Sequence, residues 1–79
     1  MAGASAGLAA RKRRAERDRV TALAKTFHML GEPNRLRIVL ACLEAPVSVG
    51  ALADELGISP SLVSHHLRLL RAARLLAGR

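Results

Sequence analysis

Ser61, Ser64, His65 and Arg68 come together on one side if the chain from Pro60 onward is helical. At about 100° per residue, Val63, Leu67 and Leu70 then gather on the opposite side. The chemistry of the polar side is hydrogen bonding. A serine hydroxyl donates or accepts, an imidazole donates to a guanine or a phosphate, and a guanidinium adds a cation one turn further on. Short polar groups near the N-terminus of an exposed helix, followed by a cation, suit insertion into the major groove of a duplex. An ordinary solvated face uses the same residue types, so the reading depends on what positions the helix.

The preceding residues supply that support. Ser48 is placed to cap a short helix carrying Val49, Leu52, Ala53 and Leu56 at the i, i+3, i+4, i+7 spacing of one buried face. Gly57 can end this helix in a left-handed conformation, and Ser59-Pro60 restarts the chain as a cap followed by a first helical residue. A short helix, a turn of three or four residues and a second helix make a helix-turn-helix. Ala53 is small where the two helices cross, and Ile58 and Val63 are apolar where the turn and second helix meet the core.

Two helices are expected upstream. Val20, Leu23, Ala24, Phe27 and Leu30 form an apolar stripe that Gly31 stops. Glu32-Pro33 opens the next helix, on which Leu36, Val39, Leu40 and Leu43 form another stripe before Pro46. Gly78 ends the last helix. With no credible strand, the fold class is all-α: four helices within these 79 residues, the last two forming the helix-turn-helix. Residues 1–14 are read as a disordered basic arm, with the Ala/Gly/Ser start to Gly7 free of periodicity, and residues 15–79 as the helix-turn-helix domain.

Charge points to the partner. Thirteen Lys and Arg against six Asp and Glu give a net charge of +7, the footprint of a polyanion binder. Much of the excess sits in Arg11-Lys12-Arg13-Arg14, Arg17 and Arg19. Phe27 is the single aromatic residue, which excludes a stacking platform for single-stranded nucleic acid. No apolar run approaches the roughly 18 residues that span a bilayer, and the small neutral start precedes the basic cluster, the reverse of a secretory signal. One cysteine, Cys42, permits no internal disulfide and fits a reducing compartment.

Other chemistries find little support. No glycine-rich phosphate loop, paired carboxylate or activated nucleophile is present, so an enzyme is not expected. Asp54 and Glu55 are adjacent and splay apart on a helix. Cys42, His28, His65 and His66 are ligand types for zinc but are scattered, without ligand spacing. Cys42 reads as a buried thiol, His28 as a helix-boundary residue, and His66, between Leu62 and Leu70, as half-buried packing. No cofactor and no metal site are assigned.

The run SPSLVSHHLRLLRAARLL, preceded by VGALADELGI, resembles the core of the arsenic-repressor (ArsR/SmtB) winged-helix family. LAKTFHMLGEPNRLRIVLACL is similar to that family's two preceding helices. The likeness covers roughly Leu23 to Leu76 and is carried most specifically by Ser61-x-x-Ser64-His65-x-Leu67 with Val63. It implies a homodimeric repressor in the prokaryotic cytoplasm, bound to double-stranded DNA at the nucleoid and released by an effector. By position, Pro60, Ser61, Ser64 and His65 match its DNA-reading residues. It also implies a β-hairpin after Leu76 and a closing dimerisation helix, so the domain is expected to be C-terminally incomplete, leaving a leucine-rich flank at Leu62, Leu69, Leu75 and Leu76. Many members bind metal through a Cys-x-Cys pair where Ser48 and Gly50 stand here, so the effector, small molecule or metal, is not identified. Two other readings stay open: a non-specific nucleic-acid or membrane-surface binder acting through the basic arm, and a helical protein-interaction module.

Overall fold

In a computed structural model, the backbone of residues 2–77 and the side chains of residues 7–77 are described. Four helices follow one another: α1 (Ala2–Leu30), α2 (Pro33–Glu44), α3 (Val49–Leu56) and α4 (Pro60–Ala72). No strand occurs among the described residues. Gly78, expected to end the last helix, lies outside them.

The helix boundaries follow from local chemistry. Glu32 is extended, and its carboxylate accepts from the backbone N–H of Arg35 at 2.9 Å, capping α2 ahead of Pro33. Ser48 caps α3 by accepting from Ala51 N–H at 3.1 Å, and Ser59 caps α4 by accepting from Leu62 N–H at 3.1 Å. Pro60 then fills a first-turn position whose N–H would have no helical partner. Gly57 ends α3 at φ 67°, a left-handed conformation that a side chain disfavours.

The core is small and lies where α2, α3 and α4 meet. Ile38, Leu52, Ala53, Val63, Leu67 and Leu70 are buried there, with Val49, Leu56, Ile58 and Cys42 packed around them. The expected inner stripes of α3 and α4 are therefore the observed ones. Complete burial of an aliphatic side chain contributes roughly 1.5–3 kcal/mol, so Ile38, Leu52, Val63 and Leu70 are the residues on which the domain most depends.

Four expectations need correction. Residues 2–14 belong to the 29-residue α1 instead of a disordered arm, because the Ala, Leu, Arg and Lys that make up most of the segment are good helix formers. The α1 stripe is mostly unpartnered: Val20, Leu23 and Phe27 are exposed, and only the end of the helix, at Met29 and Leu30, packs on the core. On α2 the buried residue is Ile38; of the expected stripe only Val39 packs against the core, whereas Leu36, Leu40 and Leu43 are exposed. Helix α4 stops at Ala72. Arg74 takes φ 60°, and Leu75 N–H donates to Leu70 C=O at 2.9 Å while Arg74 N–H donates to Arg71 C=O at 3.0 Å. This Schellman closure folds Leu75 and Leu76 back onto the core, so of the expected leucine flank only Leu62 is exposed.

Candidate nucleic-acid interface

Helix α4 presents two faces of different chemistry. Val63, His66, Leu67 and Leu70 are buried. Pro60, Ser61, Ser64, His65 and Arg68 are all exposed, and at about 100° per residue they occupy an arc of roughly 140° facing away from the core. The structure thus brings together, on one helix, every residue singled out from the sequence for this face. The same projection places Arg71 on that arc, also exposed. Sequence reasoning passed over Arg71, although its spacing from Ser64 and Arg68 was a usable signal.

Two features make the face electropositive. The first turn of α4 contains no acidic residue, so the partial positive charge at the helix N-terminus is not neutralised locally. Arg68, Arg71 and Arg74 follow along the helix and its end, and none of them makes a salt bridge among the described residues. The hydroxyl of Ser59 is committed to the cap, whereas no hydrogen bond among the described residues occupies the side chains of Ser61, Ser64 or His65. Their hydrogen-bonding capacity is available to a ligand.

The face is held in place by α3, which crosses beneath it through Leu52 and Ala53, and by α2 through Ile38. Ile58 N–H donates to Ala53 C=O at 3.2 Å, tying the turn to the end of α3. His66, expected to be half-buried packing, is more involved than that. It is buried on the inner face of α4, with Nε2 3.8 Å from the Glu32 carboxylate. His28 is exposed in the last turn of α1, and Cys42 is half-buried beside the core. Among the described residues, no three His, Cys, Asp or Glu side chains are grouped to hold a metal ion. An open groove of about 480 Å³ between α2 and α3, lined in part by Arg37, Leu40, Glu44 and Glu55, shares no residue with the exposed face of α4. No helix is long and apolar enough to cross a membrane among the described residues.

A capped helix, a left-handed glycine turn and a second capped helix with an exposed polar face define a helix-turn-helix regulatory domain. The sequence model of the bacterial regulatory proteins of the arsR family matches residues 32–77, and the chain belongs to that family. It is 39% identical over 62 residues to a protein of Synechocystis sp. named transcriptional repressor SmtB homolog, covering 78% of this chain and 47% of that one. It is 41% identical over 60 residues to the HTH-type transcriptional regulator CmtR of Mycobacterium bovis, covering 76% of this chain and 51% of that one. It is 39% identical over 56 residues to the HTH-type transcriptional regulator NmtR of Mycobacterium tuberculosis, covering 71% and 47% of the two chains. The chain spans about half the length of these relatives, which are regulators and not enzymes. No solved structure is significantly similar to it.

Proposed function

We propose that the chain is the DNA-reading part of a transcriptional repressor that binds double-stranded DNA in a sequence-specific way. The observation that carries the reading is the exposed face of α4, polar and cationic on a helix whose opposite face is fully packed. Ser61, Ser64 and His65, in the first two turns, reach base edges, and Pro60 starts the helix against the groove wall. Arg68 and Arg71 contact guanine or phosphate further along.

Repression through an inverted repeat by a homodimer accords with the exposed apolar sides of α1 and α2, where Val20, Leu23, Phe27, Leu36, Leu40 and Leu43 face solvent in a single copy. An effector, metal or small molecule, would release the complex. The setting that goes with this reading is the cytoplasm of a prokaryote.

Selection from a random duplex pool tests the reading. A recovered duplex should bind at least about a thousandfold more tightly than its scrambled counterpart at the same salt concentration. Equal binding to both would leave only a phosphate-backbone binder, for which the cations of α1 are the natural surface.

A further inference from the structure

Residues 11–19 of α1 carry six cations against two acidic residues, and so four of the chain's seven net positive charges. All of them are exposed, and neither Glu16 nor Asp18 makes a salt bridge among the described residues. The cations are ordered around the helix axis. At about 100° per residue, Arg11, Lys12 and Arg19 fall within an arc of roughly 100°. Arg13, Arg14 and Arg17 fall within a second arc of about the same width on the opposite side. Glu16 and Asp18 occupy the two gaps between these arcs. The pattern comes from i, i+2 spacing, which points side chains apart on a helix: Arg11 with Arg13, Lys12 with Arg14, and Arg17 with Arg19.

Two opposed basic sides select the partner. A helix lying on a bilayer needs one apolar face, but the Val20–Leu23–Phe27 stripe, continued toward the N-terminus, meets Lys12, Arg13 and Glu16. A helix resting on the outside of a duplex needs one basic face. Two basic faces need anions on both flanks at once. The major groove of B-form DNA supplies them: it is about 12 Å wide, and a helix with its side chains is about 10–12 Å across. The major groove of A-form RNA is too narrow. The charge pitch also corresponds. The six cations lie along about 12 Å of axis, one per roughly 2 Å, against one duplex phosphate per about 1.7 Å.

We propose that residues 11–19 of α1 are a second DNA-binding element, seated in the major groove and holding the phosphates of both walls with no base preference of its own. Arg11, Lys12 and Arg19 hold one wall, and Arg13, Arg14 and Arg17 hold the other. Glu16 and Asp18, in the gaps, point away from both phosphate rows. The element is separate from the exposed face of α4 and does not depend on base reading there.

A rearrangement that keeps composition and net charge tests the geometry. Arg13→Ala with Ala15→Arg, Arg14→Asp with Asp18→Arg, and Arg17→Leu with Leu8→Arg bring all six cations within an arc of about 120°. Every exchanged position is exposed, so the core stays intact. Fluorescence anisotropy of the full chain on a duplex of scrambled sequence reads binding, and circular dichroism checks helix content. The rearranged chain should bind about tenfold or more weakly at fixed salt, and its log–log salt slope should fall by about 2.7, the loss of three phosphate contacts. Equal affinity and slope overturn the proposal, because charge alone would then suffice. If the rearranged chain loses helix, the single exchange of Arg13→Ala with Ala15→Arg applies the same test, with a slope lower by about 0.9.

Two further arms fix the partner and separate it from α4. An RNA duplex of the same sequence, and vesicles of equal parts phosphatidylglycerol and phosphatidylcholine, should each bind the wild type more weakly than DNA does. Binding to either as tight as to DNA overturns the proposal. A rearranged chain that keeps its full affinity for a selected duplex and its preference over the scrambled one overturns the α1 element alone. Loss of scrambled-duplex affinity on rearrangement, with no duplex preferred by the wild type, supports the α1 element and overturns the α4 reading instead.

Discussion

The guanidinium of Arg35 reaches back across the α1–α2 corner and donates from Nε to the backbone carbonyl of Met29 at 2.8 Å. That carbonyl lies in the last turn of α1, where the helix cannot supply a partner of its own. Gly31 follows closely. A Cβ there would stand 3.3 Å from the carbonyl oxygens of both Phe27 and His28, so the corner is too tight for a side chain without local adjustment. Replacing Arg35 by Met keeps the aliphatic stem and removes the donor. Hydrogen bonds to charged groups contribute roughly 1.5–3 kcal/mol, and partial exposure lowers the expected loss to about 1–2 kcal/mol. A urea titration should show a lower midpoint with an unchanged slope. A loss below about 0.5 kcal/mol would mean that packing alone holds the corner.

Two left-handed residues predict opposite effects from the same physics. Gly57, at φ 67°, has open space where a Cβ would go. Gly57→Ala should therefore destabilise the domain through backbone strain alone, by about 1–2 kcal/mol. Arg74 already carries that strain at φ 60° and is exposed. Arg74→Gly should stabilise the fold by about 0.5–1 kcal/mol, the relief being partly offset by glycine's greater freedom in the unfolded chain. Melting of both variants checks the pair, and a destabilised Arg74→Gly would show that the arginine side chain makes a contact of its own.

Ser64 and His65 are exposed and lie outside the packed face of α4. Their replacement by Ala should change stability by less than about 0.5 kcal/mol. If they read bases, each loss should cost on the order of 1–3 kcal/mol toward a selected duplex, about tenfold or more in affinity, and much less toward a scrambled one. Fluorescence titration of both variants at fixed salt makes the comparison. Equal losses on the two duplexes would place these side chains on the phosphate backbone and leave sequence reading to other residues.

The cations of α1 predict a salt effect. Arg11, Lys12, Arg13, Arg14, Arg17 and Arg19 are exposed, with no salt bridge to Glu16 or Asp18. Each phosphate contact steepens the log–log dependence of affinity on salt by about 0.9. Changing residues 11–14 to Ala, which retains helix propensity, should flatten the slope and leave the preferred sequence unchanged. An unaltered slope would put these side chains in solvent within the complex.

The punctuation of this fold was legible in the sequence. Glu32-Pro33, Ser48, Gly57 and Ser59-Pro60 mark boundaries through local hydrogen bonds and backbone geometry, which depend on few neighbours. The buried side of α2 was not legible. Leu36, Leu40 and Leu43 make the stronger apolar stripe, yet Ile38 enters the core with the small Ala41 and Cys42 beside it. Periodicity detects an apolar face but not which surface covers it. The end of α4 was equally hidden, because a left-handed arginine carries no sequence signal of the kind glycine gives. The exposed face of α4 could be projected from spacing alone. The His66–Glu32 contact joins residues 34 positions apart and emerges only once α2 and α4 have packed.

Helix α1 runs through 29 residues, about 43 Å at 1.5 Å per residue, yet residues 11–25 are exposed throughout. The radius of gyration, 18.5 Å, is well above the roughly 12 Å of a compact chain of this length. An isolated helical stretch is only marginally stable in water, because tertiary packing usually supplies most of a helix's stability. Amide protons along residues 11–25 should therefore exchange with solvent far sooner than those of Leu52, Val63 and Leu70. Protease cleavage after the arginines of α1 should leave the packed trio of α2, α3 and α4 intact. Opening and closing of the basic segment is thus set by a local helix–coil equilibrium, largely independent of global unfolding, and any ligand that neutralises its cations gains the added work of holding it wound.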